Sequence, residues 1–332
     1  MRLIYQLVNN YGVAIVLFTI ITKILLFPIS YKQQKNTLRM QLIQPKLKKL
    51  QAKYKDKPQE LQQAQMQLYQ EEHVNPMSSC LPMFLQFFLL FGVLDVVYKP
   101  LTHILHYSKS VISKVVEIST GILGDSVAKQ YTGLRQELGV LKAFQDNPSA
   151  FSNVDTFDTS KVSDFMEHFT VFGVNLGETP TWHPEVWNTS AVILFCIPLL
   201  SGILQLIMTI YMQIMQKKRG TAPEQNMGCM NVMLYVMPLF SVWFAFQVSA
   251  GVGFYWACSS FFSLLQTIGL NLYFTPERGA KIIEKENKKM EARYAAGKQS
   301  FTERVMNQNA GAARVQELSL IHISEPTRQE AI

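Results

Sequence analysis

Cysteine is scarce, and the four that occur, Cys80, Cys196, Cys229 and Cys258, show no CxxC or Cys/His spacing. They fall in or beside apolar runs, so they read as small buried hydrophobes, not as a disulfide frame or a metal site. HExxH, GxSxG and a glycine-rich phosphate loop are all missing, which removes the metalloprotease, serine-hydrolase and nucleotide routes those spacings serve. The six histidines lie outside the long apolar runs, leaving no intramembrane Ser/His arrangement, and there is no Asp/Asp pair. The expectation is no enzyme, no catalytic residue, no metal and no cofactor. Charge is also thin, at 17% of residues against 48% apolar, and it gathers in blocks between apolar stretches, as in a polytopic membrane protein.

Five such stretches stand out. Gly12 to Tyr31 is 20 residues, about 30 Å as a helix and so the depth of a hydrocarbon core. Ser79 to Tyr98, Thr189 to Met215, Met230 to Val248 and Val252 to Phe274 follow. The last two are separated only by Ser249, Ala250 and Gly251, a turn that makes them an antiparallel pair. Before the first run, Leu3, Ile4, Leu7 and Val8 repeat as on an amphipathic surface helix over residues 1–11, with a frayed terminus as the alternative. Either the first run serves as its own targeting signal or such a segment lies upstream.

Residues 32–78 carry Leu38, Leu42, Leu47, Leu50 and Tyr54, a break at Asp56 to Pro58, then Leu61, Met66, Leu68 and Tyr69, which predicts a helical hairpin closed by Asn75-Pro76. Residues 99–188 are polar, with amphipathic helices expected near Val111 to Ile122 and Tyr131 to Phe144 and a loop-like stretch at Asp146 to Asp164. A short loop spans 216–229, and an exposed, partly helical basic tail is expected over 275–317. Leu318 to Arg328, LSLIHISEPTR, resembles a translated sequencing adapter, so residues 318–332 are set aside.

Charge fixes an expected topology. Residues 32–78 hold nine basic against four acidic residues, 99–188 seven against ten, the loop after the third run three against one, and the tail from Thr275 ten against eight. By the positive-inside rule the hairpin, third loop and tail face the cytoplasm, while the N-terminus and the acidic connector lie outside.

Lys23, inside the first run, costs about 2.5–3.5 kcal/mol to insert. Thr19 lies four residues before it, Thr22 beside it, and Pro28 leaves the Ile24 carbonyl free, so the helix is expected to bend near there. Gln86 on the second run, Ser201, Gln205, Thr209 and Gln213 on the third, Ser241 and Gln247 on the fourth, and Trp256, Ser259, Ser260, Ser263 and Thr267 on the fifth give each run its own polar positions. A hydrated groove around Lys23 accounts for them. The alternatives are ordinary interhelical hydrogen bonds and a lysine that snorkels to headgroups about 12 Å away.

NNYGVAIVLFTIITKILLFPISYKQQK, LIQPKLKKLQAKYKDKPQELQQAQMQLYQEEHVNPMSSCLPMFLQ and MPLFSVWFAFQVSAGVGFYWACSSFFSLLQT together resemble the YidC family of membrane protein insertases, in its Gram-positive form without a large extracytoplasmic domain. The resemblance implies an all-α polytopic fold, five transmembrane helices around a hydrophilic groove with a cytoplasmic helical hairpin. It puts Lys23 at the position of the family's first-span cation, most often arginine, and Trp256 at the family's fifth-span tryptophan; Gln86 and Gln205 are weaker matches. The expected groove residues are Lys23, Thr19, Thr22, Gln86, Gln205, Trp256, Ser259 and Ser263. The expected activity is insertion and chaperoning of nascent membrane proteins in the bacterial cell membrane, N-terminus outside and C-terminus cytoplasmic. The basic segments would meet the ribosome, signal recognition machinery, a Sec translocon or anionic lipid, or serve topology alone. No small-molecule substrate is expected. A small-anion transporter or channel using Lys23 as its binding charge is the competing class; it predicts an internal repeat and broken helices, which the sequence does not display. A structural assembly factor indifferent to Lys23 is a third.

Overall fold

Asn9 and Asn10 set the first junction of the chain. A computed structural model describes residues 1–72, 74, 81–219 and 228–295, in a main unit, Met1–Phe274, and a second, Thr275–Ile332. Helix α1 (Arg2–Val8) stops at Asn9, which takes left-handed φ 47° and returns its N–H to the Tyr5 carbonyl, a role that suits asparagine. The Asn10 side chain then accepts the Val13 N–H and caps α2 (Tyr11–Lys53).

Helix α2 is 43 residues long with Pro28 and Pro45 inside it, about 65 Å of rod and twice a hydrocarbon core. The first apolar run and the first arm of the hairpin are thus one helix. After Lys53 the chain reverses, and Leu68 of α3 (Pro58–Glu71), with Val74 just beyond the helix, packs back onto Ile43 and Leu47. A Lys46–Glu72 ion pair lies across the hairpin. Asn75-Pro76, the start of the second apolar run, residues 220–227 and residues 296–332 lie outside the described residues.

Helices α4 (Leu81–Tyr98), α9 (Thr189–Lys218), α10 (Gly228–Ala245) and α11 (Ala250–Tyr273) carry the remaining apolar runs. By length and composition α2 and α9 suffice to cross a membrane, and α4 and α10 have shorter apolar stretches, Phe84–Tyr98 and Val236–Ala245. Helix α11 is the hub, packed on α9, α2 and α4, while α10 packs on α9. At Gly202 the approach of α10 is so close that a Cβ would lie 2.1 Å from Val242 Cγ2.

Residues 99–188 fold into a cap of helices: α5 (Pro100–His103), α6 (Lys109–Ala128), α7 (Gln136–Asp146) and α8 (Thr159–His168), then a hairpin in which β1 (Thr170–Val171) pairs antiparallel with β2 (Val174–Asn175), Thr170 opposite Asn175. The stretch Asp146 to Asp164, expected as loop, contains a 3-10 turn at Pro148–Phe151 and the first half of α8. Asp158 caps α8 by accepting the Ser160 and Lys161 N–H groups. Burial drives this order: Phe151, Phe157, Val162 and Phe165 are all in the core with Phe144 and Phe169. The helix expected from Tyr131 begins only at Gln136, because Gly133, at φ 62°, turns the chain first. Helix α6 runs past its expected end and kinks at Gly124, φ 70°.

This core is continuous with the ends of the long helices. Tyr11 is fully buried, 4.8 Å ring to ring from Phe169, and donates its hydroxyl to the Val96 carbonyl at 3.3 Å. The first amides of α11 have no intrahelical acceptor; those of Ala250 and Gly251 donate to the Glu178 and Leu176 carbonyls at 2.7 and 2.8 Å. Arg135 lies over the Tyr98 ring and donates to the Gln247 carbonyl, so the cap grips the α10–α11 turn as well.

In the second unit, α12 (Pro276–Ala295) is a charged helix that carries an internal ion pair, Lys288 to Glu284 at 2.8 Å.

A Cβ on Gly251 would lie 3.0 Å from Val97 and 3.2 Å from the Leu176 carbonyl, whereas one on Gly121 meets nothing within 4 Å. Gly251→Val is expected to cost about 1–3 kcal/mol by overpacking, and Gly121→Ala to gain up to about 1 kcal/mol by helix propensity. Thermal unfolding of the two variants in detergent should therefore move in opposite directions.

Candidate functional site

Lys23 lies three turns into α2, flanked by Thr22 and Ile24, and its ammonium reaches sideways instead of to an end of the helix. Nζ donates to Ser263 Oγ on α11 at 2.7 Å and to Gln86 Oε1 on α4 at 3.4 Å. The Gln86 amide turns its other end to α11, where Nε2 donates to Ser259 Oγ at 3.1 Å and to the Tyr255 hydroxyl at 3.4 Å. One network thus ties three helices. Its orientation follows from chemistry: an ammonium offers only donors, so the glutamine carbonyl must face it and the NH2 must face the hydroxyls.

Tyr255, Ser259 and Ser263 are four apart and so lie on one stripe of α11. Tyr255 and Ser259 are buried, at 1% and 3% exposure, while Lys23, Gln86 and Ser263 are half-buried. No carboxylate pairs with Lys23 among the described residues. Asp95, the acidic residue of α4, instead meets Lys99 at 2.5 Å and His103 at 2.7 Å near the opposite end of that helix. Two of the three ammonium N–H groups therefore have neutral partners, and no described carboxylate compensates the charge.

The structure gathers Lys23, Gln86, Ser259 and Ser263 and leaves the other sequence-predicted residues apart from them. The Thr19 hydroxyl donates to the Ile15 carbonyl at 2.7 Å, and that of Thr22 to the Thr19 and Phe18 carbonyls at 2.8 and 3.0 Å. Both are satisfied within their own helix, a local bond that competes with any outward role. Trp256 sits one position from Tyr255, about 100° round the helix, and packs edge-on against Phe244 of α10 at 5.5 Å. Gln205 lies on α9, half-buried, and its carbonyl accepts the Thr209 hydroxyl at 3.0 Å. Tyr255 is the member that sequence reasoning missed, although its spacing of four from Ser259 was the available signal. A cavity of about 240 Å³ between α6 and α7, lined by Ser119, Tyr131 and Gln136 among others, includes none of these residues.

The family model described as 60Kd inner membrane protein matches residues 3–277. The chain belongs to that family. Similar proteins named membrane protein insertase YidC include one from Helicobacter pylori, 45% identical over 95 residues, which are 29% of this chain and 17% of that protein. One from Clostridium tetani is 48% identical over 84 residues, 25% of this chain and 38% of that protein. One from Caulobacter vibrioides is 43% identical over 99 residues, 29% of this chain and 16% of that protein. The matched stretch is at most 38% of the length of these relatives. For a member of the 60Kd inner membrane protein family, long apolar helices place the protein in a membrane.

Gln86→Leu and Ser263→Ala are each expected to cost about 1–3 kcal/mol by leaving a buried donor or acceptor unpaired. Because both bind the same ammonium, the double variant should show a coupling energy of about 0.5–3 kcal/mol in detergent unfolding. Strictly additive losses would refute a shared network.

Proposed function

We propose that this protein is a membrane protein insertase and chaperone that moves nascent transmembrane segments from the cytoplasm into the bilayer, and that Lys23 is the charge that draws them in. The observation that carries this reading is the uncompensated ammonium held by neutral groups on α4 and α11. A structural ion pair would have brought a carboxylate. A cation surrounded by hydroxyls and an amide is instead ready to attract one from a substrate, and the family membership supports that use.

In this reading the apolar runs make five spans around a hydrophilic groove, with the N-terminus outside, residues 32–78 forming a cytoplasmic hairpin and the tail in the cytoplasm. The cap of residues 99–188 then closes the outer side. A short acidic segment of the substrate enters from the cytoplasm toward Lys23 while its apolar segment passes sideways into lipid. The groove shortens the path of polar groups through hydrocarbon, where each unsatisfied group costs several kcal/mol. Thr19, Thr22, Gln205 and Trp256 belong to the walls in this picture, Gln86, Ser259 and Ser263 to the polar floor. The basic hairpin, with nine cationic side chains, suits the ribosome, targeting machinery, a Sec translocon or anionic lipid.

The test is complementation in cells depleted of their own insertase, with single-span substrates that carry short acidic N-terminal tails. Lys23→Arg should retain insertion. Lys23→Ala should lower it about tenfold, the loss of one charge-assisted contact, and Lys23→Glu should lower it further by repulsion. Full insertion by both the Ala and Glu variants would sink the mechanism.

A further inference from the structure

The other end of α11 carries a second polar joint, separate from Lys23. Helix α9 is followed by Arg219, whose Nη1 donates to Gln41 Oε1 on α2 at 3.4 Å and whose Nη2 donates to the carbonyl of Phe274, the residue that caps α11, at 3.2 Å. Two turns away, Gln34 Nε2 on α2 donates to Asn271 Oδ1 on α11 at 2.9 Å. Gln34 and Gln41 are seven residues apart and so share one face of α2. Arg219 therefore sits where three helices end or pass, and stitches α2 to both of its neighbours.

The residue type suits the task. A guanidinium carries donors in a rigid planar fork and reaches two acceptors on different helices in fixed geometry, which a lysine point charge does not. A cation at the Phe274 carbonyl also meets the negative end of α11 and one of its orphan acceptors.

Two further features make the joint a releasable one. Pro28 lies between Lys23 and Gln34 and has no N–H for the Ile24 carbonyl, so α2 lacks a backbone bond there and can hinge. Beyond it the arm to Lys53 is about 37 Å long, and a swing of about 10° moves its far end by about 6 Å. Among the described residues the joint is also incompletely satisfied, since Arg219 Nε and Asn271 Nδ2 are buried and meet no partner, and Asn271 is only 5% exposed. Such a network holds less firmly than a closed one, because opening lets the buried donors recover hydrogen bonds to water.

We infer that Arg219 is a positioning residue, a clasp that holds the arm of α2 against α9 and α11 at the cytoplasmic mouth of the groove, and that its release admits the substrate segment. This rests on the insertase reading, so the test has one readout that does not. In a cysteine-free background of the full chain in liposomes, nitroxide labels at exposed positions 49 and 265 report the distance from arm to α11. Arg219→Gln, Arg219→Lys and Gln41→Leu should each broaden and lengthen that distance relative to the parent protein. Distributions that superimpose on the parent for Arg219→Gln and Gln41→Leu overturn the clasp, as does full restoration by Arg219→Lys, which would reduce the role to charge.

The second readout is insertion at matched protein abundance. Cysteines at 34 and 271 joined by a short bismaleimide should lower insertion several-fold against the unlinked pair. Equal activity with the linker in place overturns the requirement for release. If the parent protein inserts no substrate, the insertase reading fails while the distance measurement still decides the clasp.

Discussion

An ammonium in the middle of an apolar helix must be met by groups from elsewhere in the chain, and much of this architecture can be traced to how Lys23 is met. Its acceptors come from Gln86 on α4 and Ser263 on α11. Supplying them requires a polar stripe on α11, and a helix with such a stripe is poorly suited to lipid on all sides. Helix α11 accordingly occupies the centre, packed on α9, α2 and α4. A central helix that begins after a turn of a few residues has first amides in need of acceptors, and Ser249 makes no side-chain cap for them. The Leu176 and Glu178 carbonyls fill that need. One desolvated charge thus connects the polar cluster, the helix order and the docking of the cap.

The two ends of the bundle are held by different mixtures of contacts. At the Tyr11 end the joint is aromatic and close-packed, with Tyr5, Tyr11, Phe165 and Phe169 in mutual contact. Such packing loses dispersion and burial on any separation and is therefore stiff. At the other end the Tyr31 ring of α2 meets those of Tyr273 and Phe274 at 6.3 and 5.0 Å, and hydrogen bonds from Gln34 and Arg219 join α2, α9 and α11. A neutral bond such as that of Gln34 exchanges with water at a net cost of about 0.5–1.5 kcal/mol, and those of the charged Arg219 at about 1.5–3 kcal/mol each. The Tyr11 end is thus closed by apolar packing with the cap, and the other end by a smaller aromatic contact combined with polar bonds. In the proposed topology the end with the polar bonds faces the cytoplasm, where an insertase receives its substrates.

How far the sequence reveals this depends on the range of each signal. Hydropathy is local, so the apolar runs are visible, and the break at Asp56 to Pro58 is visible from its turn residues. The continuity of α2 is not, because the change at Tyr31-Lys32 reads as the end of a span while KQQKNTLRMQ is a good helix-forming stretch in its own right. The cap is hidden for the opposite reason. Phe144, Phe151, Phe157, Phe165 and Phe169 follow no single period, and only their meeting in space makes them a core. In the polar cluster, spacing of four identifies Ser259 and Ser263, but no pattern distinguishes a threonine that lines a cavity from one that bonds its own helix. Thr19 and Thr22 take the second course.

Lys23 and Arg219 illustrate why cation identity matters at each place. Arg219 spans the Gln41 side chain and the Phe274 carbonyl, a geometry that needs two donors at fixed angles. Lys23 needs no such fork. Its Ser263 contact is short, at 2.7 Å, and its Gln86 contact long, at 3.4 Å, so in the proposed function the ammonium would exchange the weaker partner for an incoming carboxylate and keep the stronger. A freely rotating NH3 group accepts that carboxylate from many directions. The substrates of the proposed function, sharing little beyond a short acidic segment, would be better served by such tolerance than by a bidentate lock. The lysine is therefore consistent with an attraction that is general by construction, and the arginine with a joint that has one shape.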